Sequence, residues 1–233
     1  MGVSGGPDMI QDGLVLALDA SDRNSYPGSG TVWSDMSGNG NNGTLTNGPT
    51  FNTGSGGSIV FDGVDDYINI PDATSLNPTT ITLNAWFYLN ALVSNQNIIS
   101  KGFTSIAEPF VSYTLKMFDT TPFNTIEIQA SIGGTRRLLR SSTTLATGTW
   151  YNVAGTYDGT IFRLFINGIQ DANTTSISGT ITSYATPVQV GRWGTQGSQY
   201  LNGRVAVASI YNRALSASEI LQNYNALKSR FNL

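Results

Sequence analysis

Cysteine and histidine are both absent from the 233-residue chain. Without cysteine there is neither a disulfide framework nor a thiolate metal site. Without histidine the chain lacks the commonest general base, the commonest zinc ligand and the usual pH switch near neutrality. These absences exclude the most frequent catalytic and metal-binding arrangements, and they leave carboxylates, amides and aromatic rings as the candidates for function.

Charged residues are also scarce, at 12% of the chain, and the net charge is −3. This balance argues against nucleic acid as a partner. The basic residues Arg136, Arg137 and Arg140 form a small cluster, which we interpret as a solvated sheet edge. Because 39% of the residues are hydrophobic and 10% aromatic, the chain is expected to fold. Its polar but weakly charged surface suits exposure outside a cell or packing in an assembly.

Long apolar runs are missing as well. No stretch of the sequence approaches the roughly 18–20 apolar residues of a membrane span, so no membrane partner is expected. The first eleven residues have neither the basic start nor the apolar run of a secretory signal. The sequence therefore predicts a protein made in a cytoplasm without an export signal, which could leave by cell lysis as virion proteins do.

The stretch Thr149–Gly168 predicts two antiparallel strands and two tight turns. Trp150–Tyr157 is rich in aromatic and β-branched residues, and Ile161–Ile166 follows the turn signal Asp158-Gly159. The second strand places its apolar residues on one face, as a half-buried strand does: Phe162, Leu164 and Ile166. We place this hairpin at the centre of an antiparallel β-sandwich.

Further strands are predicted on both sides of this hairpin. Ile81–Leu89 is apolar on both faces, with Trp86 and Tyr88 on the second face, which is typical of a central strand. Tyr26–Asn52 is rich in turn dipeptides and is predicted to be a long loop. The remaining predicted strands are Leu14–Leu18, two short strands within Ser58–Ile70, Asn97–Lys101, Ser112–Phe118, Thr125–Ile132, Arg136–Arg140, Pro187–Gly191 and Arg204–Tyr211.

The C-terminal segment has a helical pattern. Residues 216–219 (S-A-S-E) match a capping box, with Ser216 as the N-cap and Glu219 reaching back to it. The apolar residues that follow share one helical face: Ile220, Tyr224, Leu227 and Phe231. We predict a helix over residues 216–231 that packs on its own domain. The chain is expected to form one domain over residues 13–233, preceded by an N-terminal arm of residues 1–12.

Five segments, taken in order, resemble the laminin G-like, concanavalin A-like jelly-roll family. They are Asp35–Gly48, Ile59–Pro71, Ile81–Tyr88, Trp150–Gly168 and Leu201–Ile220. The resemblance implies an all-β fold in which two antiparallel sheets form a jelly-roll β-sandwich with a C-terminal α-helix. Members of the family bind glycans or proteins, often with a calcium ion at the rim. Similar domains that end in an I-Y-N-R-A-L-S helix are frequent in structural proteins of tailed phages.

Glycan binding requires exposed aromatic faces with amide or carboxylate groups nearby. Trp193 is the leading candidate, although the same ring is equally suited to packing against a neighbouring loop. The polar residues near it in the sequence are Arg192, Gln196 and Gln199. Three further aromatic residues stand in loop-like, polar contexts: Tyr26, Trp33 and Tyr200. Trp86 and Trp150, in contrast, are predicted to be core residues.

Asp35, Asn39 and Asn42 lie in a glycine-rich segment and could supply oxygen ligands to a calcium ion. The same side chains are also suited to closing turns. The family often carries a further aspartate at a position that aligns with Ala206 here, and this departure removes a ligand. Calcium is the one cofactor that the sequence leaves open.

Catalysis is not expected. Glucanases of related fold use two carboxylates on alternate positions of one strand. The three glutamates, Glu108, Glu127 and Glu219, form no such pattern. Asp65 and Asp66 would point to opposite faces of an extended strand. We therefore assign no catalytic residue.

The sequence favours a non-catalytic recognition or structural module. We expect it at a virion surface, as a capsid decoration or fibre-type protein in an oligomeric assembly, in contact with other virion proteins and with host-surface glycans. A free-standing extracellular carbohydrate-binding lectin is the first alternative, and a glycan-cleaving enzyme is the second.

Overall fold

The computed structural model describes residues 8–102, 107–118, 124–194 and 199–233. Within these ranges the chain forms sixteen β-strands and one α-helix. No helix of the described ranges has the length and apolarity needed to cross a membrane. The elements are β1 (Leu14–Asp19), β2 (Val32–Trp33), β3 (Gly43–Thr46), β4 (Thr50–Asn52), β5 (Ser58–Asp62), β6 (Tyr67–Ile70), β7 (Ile81–Leu89), β8 (Asn97–Gly102), β9 (Val111–Met117), β10 (Thr125–Ile132), β11 (Thr135–Thr144), β12 (Trp150–Tyr157), β13 (Ile161–Ile166), β14 (Ile169–Ser176), β15 (Val188–Val190), β16 (Asn202–Tyr211) and α1 (Ala217–Leu227).

The strands form two antiparallel sheets that pack face to face. Sheet A has the order β14-β13-β12-β7-β16-β5-β4, and β1 also pairs with β16. Sheet B has the order β11-β10-β9-β8-β15-β6-β3-β2. The predicted hairpin is β12–β13, and the predicted central strand is β7, which lies between β12 and β16. The all-β sandwich expected from the sequence is therefore confirmed.

Side chains alternate between the two faces of each strand, and this alternation decides which residues lie in the core between the sheets. Phe162, Leu164 and Ile166 join the main core, as predicted, because they share the inward face of β13. The facing sheets lie close together at Gly155 of β12. A Cβ placed on Gly155 would lie 2.8 Å from Cδ1 of Ile128 on the facing sheet, so this position has no room for a side chain.

The C-terminal helix covers the outer face of sheet A. Its capping box is formed as predicted, with Ser216 Oγ accepting from the Glu219 N–H and the Glu219 carboxylate accepting from the Ser216 N–H. The α-helix ends at Leu227 and continues as a 3-10 turn that brings Phe231 onto Trp86, with ring centroids 4.1 Å apart. Trp86 and Trp150 are buried beneath it. The predictions that the helix packs on its own domain and that both tryptophans are core residues are confirmed.

The prediction of a long loop over Tyr26–Asn52 is wrong, because this segment contains β2, β3 and β4. These strands have only two to four residues, and their pairing partners are either far away in the sequence or also short. The local sequence therefore shows mainly the glycine-rich turns around them, which predict a loop. The edge strand β14 is also missing from the prediction. Its sequence is polar and most of its side chains are exposed, so it lacks the apolar alternation that marks a buried strand.

Residues 8–12 of the predicted N-terminal arm contact the domain. The Ile10 N–H donates to Asn223 Oδ1 at 2.8 Å, and the Tyr211 hydroxyl donates to the Ile10 carbonyl at 3.0 Å. Residues 1–7 lie outside the described residues. The part of the arm that is described is therefore held on β16 and α1.

Candidate functional site

The outer face of sheet B is polar. In β9 the side chains of Val111, Tyr113, Leu115 and Met117 are in or beside the core, and those of Ser112, Thr114 and Lys116 alternate with them on the outer face. In β10 the outer residues are Glu127, Gln129 and Ser131. All of these polar side chains are nevertheless buried. Segments between the strands therefore cover much of this face.

A cleft of about 220 Å³ opens where these segments leave the outer face of sheet B accessible. We call it the Trp193 cleft, and its lining residues are Asn95, Phe110, Lys116, Gln129, Arg136, Trp193 and Gln199. The rings of Trp193 and Phe110 have their centroids 6.1 Å apart and are tilted by 49°. The Arg136 guanidinium lies 5.2 Å from the centre of the Phe110 ring. The cleft thus combines two aromatic rings with amide and cationic side chains.

The backbone around Trp193 is fixed on both sides. The Trp193 N–H donates to the Gln199 carbonyl at 3.1 Å, and the Leu201 N–H donates to the Gly191 carbonyl at 2.9 Å. The next residue, Gly194, donates its N–H to Ser100 Oγ on β8 at 3.1 Å. These bonds attach the segment that carries Trp193 to the strand beneath it.

The charges near the cleft are held by specific partners. Lys116 Nζ donates to Asn95 Oδ1 at 2.9 Å. Glu127, which lies opposite Lys116 across β9 and β10, is buried. Its carboxylate accepts from Gln129 Nε2 at 2.8 Å and from the Arg140 guanidinium at 2.9 Å. The Glu127 side chain is therefore held by Gln129 and Arg140 beside the cleft.

The other two glutamates are also engaged in ion pairs. Glu108 lies 3.3 Å from the Arg136 guanidinium. Glu219 closes the helix cap and lies 2.6 Å from Arg213, and this pairing lowers the pKa of its carboxyl to about 2. The Glu219 carboxylate is therefore stabilised in its charged form, which does not suit a proton donor.

The structure brings only some of the predicted glycan-binding residues together. Trp193 and Gln199 line the cleft. Arg192 and Tyr200 pair with each other beside it, and the Arg192 guanidinium lies 4.8 Å from the ring centre of Tyr67 and 5.6 Å from that of Tyr200. The predicted residue Gln196 lies outside the described residues.

The prediction that Trp33 and Tyr26 present exposed rings is wrong. Trp33 has no exposed surface, because the short strand β2 pairs with β3 and turns the indole into the sandwich core. Tyr26 is 4% exposed, its hydroxyl donates to the Gly30 carbonyl, and its ring packs on Phe51 at 5.5 Å. Trp33 is therefore unavailable to a sugar, and Tyr26 exposes little surface to the cleft of about 190 Å³ that it lines.

Sequence reasoning missed most of the cleft. Lys116 and Gln129 could have been found from the alternation of polar and apolar residues in β9 and β10. Asn95 and Phe110 carry no local signal, since they reach the cleft only when distant segments meet. Arg136, interpreted as part of a solvated edge, lies on the edge strand β11 and also lines the cleft.

The predicted calcium ligands are close together, but they bind the protein itself. Asp35 Oδ1 accepts from the N–H groups of Ala17 and Ser37, and Oδ2 accepts from the Asn41 N–H and the Ser37 hydroxyl. Asn42 Oδ1 accepts from the Asp35 N–H, and Asn39 Nδ2 donates to the Leu14 carbonyl. The carboxylate thus faces donors that would repel a cation, and it ties the segment after β2 to β1. Calcium binding at these residues stays a prediction.

A second acidic group lies in the turn between β5 and β6. Asp62, Asp65 and Asp66 place carboxylate oxygens within 4.8 Å of one another. Asp62 Oδ1 accepts from the N–H groups of Val64 and Asp65, and Asp66 Oδ2 accepts from the Asp62 N–H. Burial, together with the two neighbouring carboxylates, raises the pKa of Asp66 above its usual value. Hydrogen bonds from the N–H groups of the turn hold these carboxylates close together.

Residues 62–221 match a family model described as the concanavalin A-like lectin/glucanases superfamily. The match includes the Trp193 cleft and every strand from β6 to β16. The chain belongs to this superfamily. A comparison with curated proteins gives no match.

Solved structures share the superfamily fold at low sequence identity. The binding domain of Paraclostridial Mosquitocidal Protein 1 matches with a TM-score of 0.70 and 18% identity, over 93% of this chain and 52% of that chain. Domain 4 of AbnA, a GH43 extracellular arabinanase from Geobacillus stearothermophilus, in complex with arabinotriose, matches with a TM-score of 0.70 and 17% identity, over 91% of this chain and 98% of that chain. Trypanosoma rangeli sialidase in complex with sialic acid matches with a TM-score of 0.66 and 18% identity, over 94% of this chain and 33% of the sialidase. The present chain thus spans 52% of the first of these proteins and 33% of the sialidase.

Proposed function

We propose that this chain is a non-catalytic module that binds glycans in the Trp193 cleft. The observation that carries the proposal is the combination of the Trp193 and Phe110 rings with the amides of Asn95, Gln129 and Gln199 around one opening. A sugar ring has an apolar C–H face and a rim of hydroxyl groups. An aromatic ring can cover the first, and amides, which both donate and accept hydrogen bonds, can satisfy the second.

The size of the cleft agrees with this kind of ligand. Its volume of about 220 Å³ is below the roughly 300–1,000 Å³ of pockets that enclose drug-sized molecules. Such an opening suits one part of a glycan that lies mostly in solvent.

The positions of the carboxylates support a binding role. Glycoside hydrolysis needs two carboxyl groups across the scissile bond, one of them kept protonated. Glu127 is bound by Arg140 and Gln129, and Glu108 is paired with Arg136. A glycan-cleaving enzyme is the competing function. Release of new reducing ends from a polysaccharide panel by the purified chain would overturn the non-catalytic assignment.

The comparisons support a glycan as the first ligand class to test. The arabinanase domain that shares the fold over 98% of its length is in complex with arabinotriose, and the mosquitocidal protein shares it through a binding domain. At identities of 17% and 18%, these likenesses concern the fold alone. The ligand class of the present chain therefore has to be inferred from the residues of its own cleft.

A glycan array with and without calcium tests the proposal. We expect specific binding by the native chain and a loss of about ten-fold or more in affinity for Trp193→Ala, because one buried aromatic contact commonly contributes most of the binding energy in a small interface. Ile169→Ala is the matched control, since this side chain is 73% exposed on sheet A. Thermal unfolding of both variants separates loss of the ligand contact from loss of the fold. Unchanged affinity of Trp193→Ala would refute the site.

We further propose a virion surface as the setting, with the chain as a capsid decoration or fibre-type protein among other virion proteins in an oligomeric assembly. The support is the 12% share of charged residues, together with the resemblance of the C-terminal motif to phage structural proteins. Mass spectrometry of purified particles from a host that encodes the chain tests this setting. Absence from the particles would leave a free-standing extracellular lectin.

A further inference from the structure

A second cleft lies between the segment that follows β1 and the strand β4 with the turn after it. Its volume is about 190 Å³, and among the described residues it shares none of its lining with the Trp193 cleft. We call it the Phe51 cleft. Its lining side chains include three rings and three polar groups: Tyr26, Pro27, Phe51, Arg23, Ser21 and Thr53.

The Phe51 ring presents an apolar surface to this cleft. The side chain is half-buried, packs against the core, and has its ring centroid 5.5 Å from that of Tyr26. Pro27 is exposed beside it. The next residue, Gly28, has no side chain, and a Cβ there would lie 3.6 Å from Phe51 Cε1. A larger residue at this position would cover part of the ring, so the glycine keeps the apolar surface open.

Hydrogen bonds hold the walls of the Phe51 cleft in place. The Tyr26 N–H donates to the Asp22 carbonyl at 2.7 Å. In the turn after β4, the Arg230 guanidinium donates to the carbonyls of Ser55 and Gly57, each at 2.7 Å. The cleft is therefore preformed, and a ligand does not have to order its walls.

Arg23 gives the cleft a positive charge. Its side chain is exposed, and no acidic group of the described residues forms an ion pair with its guanidinium. The neighbouring acids Asp19 and Asp22 line a different cleft, of about 210 Å³, and Asp19 is paired with Arg230 at 2.7 Å. Within the part of the chain that the structure describes, no Asp or Glu lines the Phe51 cleft. The planar guanidinium of Arg23 can therefore bind a carboxylate from outside through two parallel hydrogen bonds.

The size and polarity of the Phe51 cleft favour a side chain of another protein as its ligand. Its volume is below the roughly 300–1,000 Å³ of pockets that enclose drug-sized molecules. No amide side chain of the described residues lines it, which distinguishes it from the Trp193 cleft. Aromatic side chains that fill small preformed pockets are common anchors of protein interfaces.

We propose that the Phe51 cleft is a docking site for a partner protein. An aromatic side chain of the partner packs on Phe51 and Pro27, and a carboxylate next to it in the partner is bound by Arg23. This site is separate from the glycan site and does not depend on the proposed function.

Blocked dipeptides test this proposal. The probes are acetyl-Phe-Asp-amide and acetyl-Asp-Phe-amide, each compared with the dipeptide that carries Asn in place of Asp. Their binding to the native chain is followed by chemical-shift changes in NMR titrations. We expect at least one Asp probe to bind about five-fold more tightly than its Asn counterpart, which is the effect of an exposed ion pair of good geometry.

Three variants assign the binding to the cleft. Arg23→Gln should remove the preference for Asp and leave the affinity for the Asn probe unchanged, because the ring contact remains. Pro27→Ala should weaken the Asp and Asn probes alike, by about three-fold. Arg137→Gln is the matched control, since it removes an exposed arginine on β11, and it should change neither affinity.

The outcomes separate this site from the alternatives. No binding of any dipeptide, equal affinity for the Asp and Asn probes, or the same loss of preference in Arg23→Gln and Arg137→Gln would overturn the proposal. Phenylacetate that binds as tightly as the dipeptides would make the cleft a small-molecule site and overturn the assignment to a protein. Trp193→Ala should bind the dipeptides as the native chain does, so failure of the glycan site would leave this proposal standing.

Discussion

Gly194 packs backbone to backbone on Gly102. A Cβ placed on Gly102 would lie 2.6 Å from the Cα of Gly194, and Gly194 itself has a φ of +51°. The two backbone segments leave no room for a side chain at this point. This contact places the residue after Trp193 directly on the end of β8. The position of the indole therefore depends on a glycine that lies 91 residues before Trp193 in the sequence.

Gly102→Ala is expected to displace the segment that carries Trp193. The methyl group meets backbone, which cannot move aside as a flexible side chain does, so the shift is passed on to the indole. We expect affinity for a glycan to fall by about ten-fold, a change of roughly 1.4 kcal/mol. Calorimetric titration of the native chain and the variant checks this expectation.

Gly134→Ala is the control for this variant. Gly134 lies in the β10–β11 turn with a φ of +79°, and a Cβ there meets nothing within 4 Å. The change should cost about 1 kcal/mol of stability through backbone strain and leave glycan affinity unchanged. Equal affinity losses in both variants would show that strain, not the Gly102–Gly194 contact, is responsible.

Phe231→Ala is expected to destabilise the fold by about 3 kcal/mol, because it opens a cavity between the C-terminal segment and sheet A. The ring is 5% exposed and has its centroid 4.1 Å from Trp86 and 4.8 Å from Trp150. Urea unfolding followed by tryptophan fluorescence measures the loss. Leu233→Ala, at a side chain that is 43% exposed, should be nearly neutral. A neutral Phe231→Ala would mean that the C-terminal segment contributes little to the fold.

Asp171 on β14 connects the edges of the two sheets. Its carboxylate accepts from the N–H groups of Ser142 and Thr143 on β11 at 2.8 and 2.9 Å. Burial by itself would raise the pKa of this carboxyl, but the hydrogen bonds from Ser142, Asn173 and Thr143 lower it to about 2. A lowered folded-state pKa means that the stabilisation is present above the unfolded value near 4 and is lost as the pH falls through about 2.

Asp171→Asn should therefore lower the free energy of unfolding by about 2 kcal/mol at neutral pH. The difference in unfolding free energy between the variant and the native chain should shrink as the pH falls from about 4 towards 2. Denaturant unfolding at several pH values measures this difference. Asp8→Asn, at an exposed position, is the control and should leave the free energy of unfolding at neutral pH nearly unchanged. A stability difference that stays constant down to pH 2 would contradict the assigned role of the carboxylate.

Asp35 is expected to stabilise the fold without a metal ion. Its oxygens already accept three N–H groups and one hydroxyl. Asp35→Ala should lower the unfolding free energy by about 2 kcal/mol, because those donors lose their acceptor. A chelator should leave the melting temperature of the native chain unchanged. A clear drop in the melting temperature with chelator, reversed by added calcium, would establish the predicted calcium site.

Much of the fold could be predicted from local patterns. The β12–β13 hairpin follows from the Asp158-Gly159 turn and the apolar face of β13, and the helix start follows from the Ser216–Glu219 capping box. These signals act between residues a few positions apart, where backbone geometry and side-chain spacing are set by the sequence itself. The short strands β2, β3 and β4 were not predicted, because they exist only through pairing with other strands.

The candidate site, like the fold, could be predicted from the sequence only in part. Trp193 and Gln199 could be selected from the sequence because they lie close together in a polar stretch. Tertiary structure alone decided that Trp33 lies in the core and that Phe110 faces Trp193. The sequence thus determined which residue types were available for a glycan, and long-range strand pairing decided which of them meet. The physical reason is that burial depends on contacts between segments that are far apart in the chain. The spacing of residues within one segment does not predict such contacts.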